Sequence, residues 1–140
     1  MKITEIKTYN LNSSLETPFG WSQAWTDRRS IGIVKISTDE GITGWGEGCE
    51  GPSSTVVNKI ISPLITGEDP LNRLGIWQKI FRSMYNGNTV VGYGGSALSA
   101  VDMALWDITG KALGVPVNML IGGRIRDQVP VYATGLYYTK

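Results

Sequence analysis

GYGGSALSAVDMALWDITGKALGVPVNMLIGG, residues 92–123, is the stretch that decides the fold. Its spacing predicts a helix over about 97–113. Ala97, Leu98, Ala100, Val101, Ala104, Leu105, Ile108 and Ala112 wrap much of a helical circumference, so the helix is buried on more than one side. Ser96 reads as its cap and Gly114-Val115-Pro116 as its stop, because glycine takes the left-handed terminal conformation and proline cannot continue the ladder. Residues 118–121 read as a short apolar turn, and Gly122-Gly123 as a hinge. Asp107 and Lys111 stand four apart and should pair on the surface. Asp102, an acid among apolar neighbours, needs a hydrogen bond or a cation if it is buried. The opening GYGGSA lacks the third glycine of a dinucleotide loop and the Gly-Lys-Ser/Thr of a P-loop, and no strand leads into it. Its glycines suit a close approach to another backbone.

Upstream of this helix lie two more. Ser53 or Ser54 caps a short helix running to about residue 61, where Pro63 stops it. Asp69-Pro70 then opens a second helix, with Leu71, Leu74, Trp77, Ile80, Phe81 and Met84 on one apolar face. A turn-rich loop, 86–95, joins it to the third. The first half of the chain is strand-like. Residues 2–11 alternate imperfectly, 29–38 alternate well, and 42–47 return after the turn Asp39-Glu40-Gly41. These make a three-stranded antiparallel meander. Between the first two strands, residues 12–28 lose periodicity and collect Pro18, Gly20, Trp21 and Trp25, so they read as a long loop. A second loop, about 46–52, holds Glu47, Cys49 and Glu50. Downstream, 128–138 (QVPVYATGLYY) reads as a strand that either joins the meander or opens a second domain.

Composition narrows the function. A chain of 140 residues with 41% hydrophobic and 18% charged residues is an ordinary globular protein, long enough to bury a core. A net charge of +1, with dispersed basic residues, gives no electrostatic case for nucleic acid or an anionic membrane. No window approaches the roughly 18 apolar residues of a membrane span, and the start MKITEIKTYNL lacks the apolar core of a signal peptide. One cysteine, Cys49, excludes an internal disulfide and suits a reducing cytoplasm. The absence of histidine removes Ser-His and Cys-His nucleophile pairs and the commonest zinc ligand. Glu47 and Glu50 could serve as an acid–base pair in a small hydrolase. Solvated or lysine-paired carboxylates are the plainer reading, since no third ligand lies nearby.

The order of meander, loops and three helices, with the run SALSAVDMALWDITGKALGVPVNMLIGG and then VPVYATG, resembles the amino-terminal capping domain of the mandelate racemase and muconate lactonizing enzyme branch of the enolase superfamily. GWGEG at 44–48 and ITGEDP at 65–70 support the resemblance. It implies an α+β capping domain over residues 1–124, with 125–140 beginning a (β/α)8 barrel that the chain only starts. It also implies abstraction of the proton α to a carboxylate through a Mg²⁺-stabilised enediolate. Racemisation, dehydration of acid sugars or cycloisomerisation proceeds from that intermediate.

The ligands of that Mg²⁺ and the acid/base residues belong to later barrel strands. No catalytic or metal residue maps onto this chain, which has no Lys-x-Lys, and the chain by itself is expected to be inactive. What maps is the lid: loops at about 15–28 and 46–54 close over the barrel mouth and shape specificity. Phe19, Trp21, Ser22, Trp25, Cys49 and Glu50 are therefore candidate substrate-facing residues. Thr134 and Tyr137 are barrel-mouth candidates near a strand end. The implied partners are a carboxylate-bearing small molecule and further copies of the chain. The wording of 86–107 is closest to mandelate-racemase-like acid-sugar dehydratases, with a muconate-type cycloisomerase the other choice within the family. The alternative outside it is a self-contained, non-enzymatic α+β interaction module.

Overall fold

Ile3, Ile6, Val34 and Ile36 all point to one side of a pleated surface and are at most 8% exposed, which is the period-two burial of a sheet covered on one face. In the computed structural model, which describes residues 1–85, 87 and 89–139, β1 (Ile3–Trp21) and β2 (Ala24–Thr38) form a long antiparallel hairpin. β3 (Thr43–Glu47) pairs with the other side of β2, and β4 (Tyr138–Thr139) with the far end of β1, giving the order β3-β2-β1-β4. The turn between β2 and β3 closes as expected, with Gly41 at φ 79°.

Residues 12–28 differ from the expected loop. They are the distal arm of the β1–β2 hairpin. Pairing runs through Asn12↔Ser30, Ser13↔Arg29 and Ser14↔Arg28, breaks at an irregularity, and resumes at Phe19↔Thr26 and Trp21↔Ala24. The arm leaves the helices behind, so most of its residues are exposed on both faces. Backbone pairing holds it without an apolar period, and that is why alternation fails to mark it. Its tip, Ser22-Gln23, turns with Gln23 at φ 67°.

The first helix is built in three pieces: α1 (Pro52–Val56), a π-helical stretch (Val57–Ile61) and α2 (Ser62–Ile65). Neither Ser53 nor Ser54 caps it. Gly51 is the N-cap, and Pro52 starts the helix with its fixed φ, which places both serines inside the first turn. Pro63 does not stop it either. Pro63 directly follows the π-helical stretch, whose wider ladder ends with the Ser62 N–H donating to the Val57 carbonyl, and the helix runs on to Ile65. Asp69-Pro70 forms a turn rather than a helix start. The Asp69 carboxylate accepts the Leu71 N–H at 3.0 Å and its carbonyl accepts the Asn72 N–H at 3.0 Å. α3 (Arg73–Tyr85) begins beyond it. Asn86 and Asn88 of the expected 86–95 loop lie outside the described residues.

α4 (Tyr93–Leu113) starts one turn earlier than the apolar spacing suggests. Gly92 is its N-cap, and Ser96 sits within the helix, its N–H donating to the Gly92 carbonyl at 3.0 Å. Its end is as read: Gly114 is left-handed, at φ 67°. α5 (Val117–Leu120) is one short turn where an apolar turn was expected. Gly122 and Gly123, where a hinge was expected, both have positive φ, 123° and 86°.

α4 is the centre of the core. Ala97, Ala100, Val101, Ala104, Leu105 and Ile108 are fully buried, against Val57, Ile61, Ile65, Ile76, Ile80 and the sheet. β3 lies directly on it. A Cβ at Gly44 would fall on the Ala104 carbonyl oxygen, and one at Gly46 on that of Ala100. Glycine on one face of β3 and alanine on the facing side of α4 let the two backbones touch. Trp45, between those glycines, projects from the opposite face beside Tyr9, with ring centroids 6.2 Å apart. Asp107 and Lys111 do more than pair with each other at 2.7 Å. Asp107 accepts the Trp45 N–H at 2.9 Å and Lys111 donates to the Thr43 carbonyl at 2.7 Å, so the outer edge of β3 is satisfied by a helix. Asp102 is partnered as its burial requires. Arg73 reaches it from α3 at 2.7 Å while its guanidinium lies 4.0 Å from the Trp106 ring centroid.

The strand expected over 128–138 is present only as β4. Residues 128–137 form no strand, and Val129, Val131, Tyr132 and Leu136 are 69% exposed or more. Their apolar alternation has no surface here to pack against.

Candidate functional site

The arm is an aromatic structure braced by its own backbone. The Phe19 ring is tilted against Tyr137, with centroids 4.6 Å apart, and against Trp21, at 6.1 Å. The Arg29 guanidinium lies 4.8 Å from the Phe19 centroid. Across the pair, Trp25 covers Gly20, where a Cβ would meet its indole at 2.7 Å. Glycine at position 20 is thus what lets the Trp25 ring lie flat on the arm. At the tip, Ser22 is exposed. Tyr137 reaches the arm because β4 pairs at Phe19↔Thr139 and Gly20↔Tyr138. Thr134 is exposed on the segment leading there.

The second candidate element is the turn between β3 and α1. Gly48 donates to the Gly32 carbonyl at 2.9 Å, folding the loop against β2. Gly32 has no room for a side chain, since a Cβ there would strike the Glu50 backbone. A cleft of about 420 Å³ results, lined by Ser30, Glu47, Glu50, Ser53, Tyr93 and Ser96 among others. Glu47 and Glu50 both open onto it.

Cys49 is placed otherwise than expected. It is 0% exposed and belongs to the core, so its thiol packs under the loop instead of facing a substrate. Burial pushes that thiol up from its ordinary pKa, which makes it a poor nucleophile. The reason is the register of the loop: with Gly48 and Gly51 at positive φ, residue 49 turns inward and residue 50 outward.

The structure therefore brings Phe19, Trp21 and Tyr137 together on the arm, sets Glu50 in a cleft at its base, and buries Cys49. Sequence reasoning missed Arg29, Ser30, Tyr93 and the place of Ser53 and Ser96 in that cleft. Pairing across the hairpin supplies the first two, and the early start of α4 supplies Tyr93. A signal for Arg29 in the sequence is its place beside Arg28, the only adjacent basic pair.

Among the described residues no group of three or more histidine, cysteine, aspartate or glutamate side chains could hold a metal ion. The residues present do not fit the Mg²⁺ that the family resemblance implies.

A family model for the mandelate racemase / muconate lactonizing enzyme N-terminal domain matches residues 3–122. The chain belongs to the mandelate racemase / muconate lactonizing enzyme family. As an N-terminal domain of that family it shares the fold of enolase-superfamily proteins. A superfamily member from a Polaromonas species superposes with a TM-score of 0.81 at 33% identity, over 96% of this chain and 36% of that one. The 3,6-anhydro-D-galactonate cycloisomerase of Zobellia galactanivorans superposes with a TM-score of 0.74 at 35% identity, over 88% and 32%. In sequence, the D-galactarolactone cycloisomerase of Agrobacterium fabrum is 40% identical over 139 residues, 98% of this chain and 36% of that protein. The D-galactonate dehydratase of Pectobacterium atrosepticum is 42% identical over 137 residues, 95% and 31%. The chain thus spans about a third of the length of the curated relatives it matches. No helix among the described residues is long and apolar enough to cross a membrane.

Proposed function

We propose that this chain is the capping domain of a cytoplasmic, homo-oligomeric acid-sugar enzyme, a lyase or isomerase that removes the proton α to a carboxylate. Its own part is to close the arm and the 48–53 loop over a polyhydroxy acid. The observation that carries this is the identity of 40–42%, across nearly the whole chain, to a galactarolactone cycloisomerase and a galactonate dehydratase. Dehydration, racemisation and cycloisomerisation share loss of that proton and diverge only after it.

The base and the electrophile of such chemistry are not supplied here, since the chain has no histidine and no Lys-x-Lys. Mg²⁺, in this reading, is held by other parts of the enzyme. The residues of this chain bind and shield. Phe19, Trp21 and Trp25 present apolar surface that excludes water, which strengthens every polar interaction beneath them. Glu50 accepts hydroxyl groups at the arm's base. The test is turnover of hexonic acids, hexaric acids and hexaric acid lactones by the enzyme that carries this domain, read as the appearance of 2-keto-3-deoxy acid or, from the lactones, of an isomerised product. Residues 1–140 alone give none. Failure of the whole enzyme to convert any member of either series contradicts the proposal.

The pairing of β4 with the arm favours a second reading, a self-contained interaction module with no chemistry. It requires slow hydrogen exchange across 128–138 in a monomer.

A further inference from the structure

The tip of the arm is a separate piece of the hairpin. Pairing of β1 with β2 stops at Ser14↔Arg28 and resumes at Phe19↔Thr26, so residues 15–18 stand against residue 27 alone. Pro18, inside that break, has no N–H to give to a ladder. Beyond the break only Phe19↔Thr26, Gly20↔Trp25 and Trp21↔Ala24 pair. A two-stranded ribbon that short is marginal in water and needs a third strand with a covered face. β4 supplies both. It adds to the tip at Phe19↔Thr139 and Gly20↔Tyr138, which sets Tyr137 diagonally across from Phe19, on the face that also carries Trp21. The Phe19 and Tyr137 ring centroids are 4.6 Å apart. Phe19 is half-buried and Gly20 buried at the end of a strand whose preceding residues are mostly exposed. On the other partner, Tyr137 is 40% exposed, against 89% for Tyr132 and 104% for Leu136. The chain is also bent to make this contact. Leu136 has φ 61°, a conformation that a bulky residue adopts only where its surroundings impose it. Its own side chain is fully exposed, so the docking of the next three residues is what holds it there.

We infer that residues 137–139 are the clasp of the arm: the tip pivots at residues 15–18, and Tyr137 against Phe19, with β4 as the third strand, fixes it in one position. This rests on the reading that the arm closes over a polyhydroxy acid, and adds what holds it closed. Tyr137 is a positioning residue, acting on the acid through the arm. When the clasp is lost the tip spends only part of its time in the binding position, and apparent affinity falls by that fraction. The chemical step, once the acid is enclosed, is affected less. Because the two halves of the clasp lie more than a hundred residues apart in the chain, the arm is held only when the segment after Gly123 is in place.

The experiment is amide hydrogen exchange on the full-length enzyme and its Tyr137→Ala, Tyr137→Phe and Phe19→Ala variants, with the Phe19→Ala/Tyr137→Ala double variant. Exchange over residues 19–26 should rise about tenfold or more in Tyr137→Ala while α4 keeps its protection. Tyr137→Phe, which keeps the ring, should exchange like the wild type. The double variant should exchange no faster than the faster single variant, since either change alone opens the same contact. Unchanged exchange over 19–26 in Tyr137→Ala, a rise shared equally by α4, or multiplying effects in the double variant would each overturn the clasp. Kinetics with galactonate and galactarolactone give the second reading. Tyr137→Ala raises KM roughly tenfold with a smaller change in kcat, and Tyr137→Phe restores it. Faster exchange with KM unmoved overturns the clasp's part in binding. If the wild type converts neither compound, the proposed function fails and exchange alone decides the clasp.

Discussion

Gly46 shows how a single missing side chain sets the packing of two elements. Because a Cβ there would collide with the Ala100 carbonyl oxygen, Gly46→Ala must push β3 off α4. The expected cost is about 2–3 kcal/mol, read as a lower denaturant midpoint at constant slope. Gly135→Ala, where nothing lies within 4 Å, stays within about 0.5 kcal/mol. Equal effects would refute the close-contact explanation of GWGEG. The sequence marked those glycines as a motif, but their purpose was hidden, because the partner backbone lies more than 50 residues away along the chain. Cys49 gives a second residue-scale expectation. Fully buried and raised in pKa, it should react with an alkylating reagent only as fast as the domain opens, accelerating through the unfolding transition. Rapid alkylation under native conditions would place the thiol at the surface after all.

Among the elements, β3 is a five-residue edge strand whose outer backbone groups are held by α4. Asp107→Ala removes the acceptor of the Trp45 N–H and should destabilise the domain by about 1–2 kcal/mol. The Trp45 amide should exchange much faster while buried amides of α4 change only with global stability. No selective change at Trp45 would mean the strand edge is protected some other way. The i,i+4 spacing announced Asp107 and Lys111 as a pair, yet nothing local could say that both also reach another element. The arm illustrates the opposite case. Its length is invisible to hydrophobic alternation because neither face is buried, and Ser53, Ser54 and Ser96 misled as caps because glycine with positive φ took the position in both α1 and α4. What was legible was the part with a one-sided core: the strands at 2–11 and 29–38, and α4 with its glycine stop; the face of α3 was read only in part, since Ile80 and Met84 are buried but Ile76 takes the place expected of Leu71 and Leu74, which are exposed.

At the scale of the whole molecule, the helices cover one face of the sheet, and the arm and the segment after Gly123 project from the assembly. The exposed apolar residues of 128–137 should leave their amides unprotected, exchanging at the intrinsic rate while α4 is protected to the global limit. Protection of this segment in a monomer would favour the interaction-module reading. Residues 92–123 carried the family because they hold the helix on which β2, β3, α1, α3 and α5 pack. The candidate site residues were harder to see, since the cleft at the base of the arm is made of three separate segments, around Ser30, Glu50 and Ser96, that meet only in the fold. The central claim is that this domain caps an enzyme that removes a proton α to a carboxylate. The most direct measurement is proton NMR of aldonic acids, aldaric acids and aldaric acid lactones incubated in D₂O with the full-length enzyme and Mg²⁺. The predicted result is loss of the α-proton signal, by exchange or with product formation, for at least one acid. Retention of that signal across the series, with enzyme shown to be folded, would contradict it.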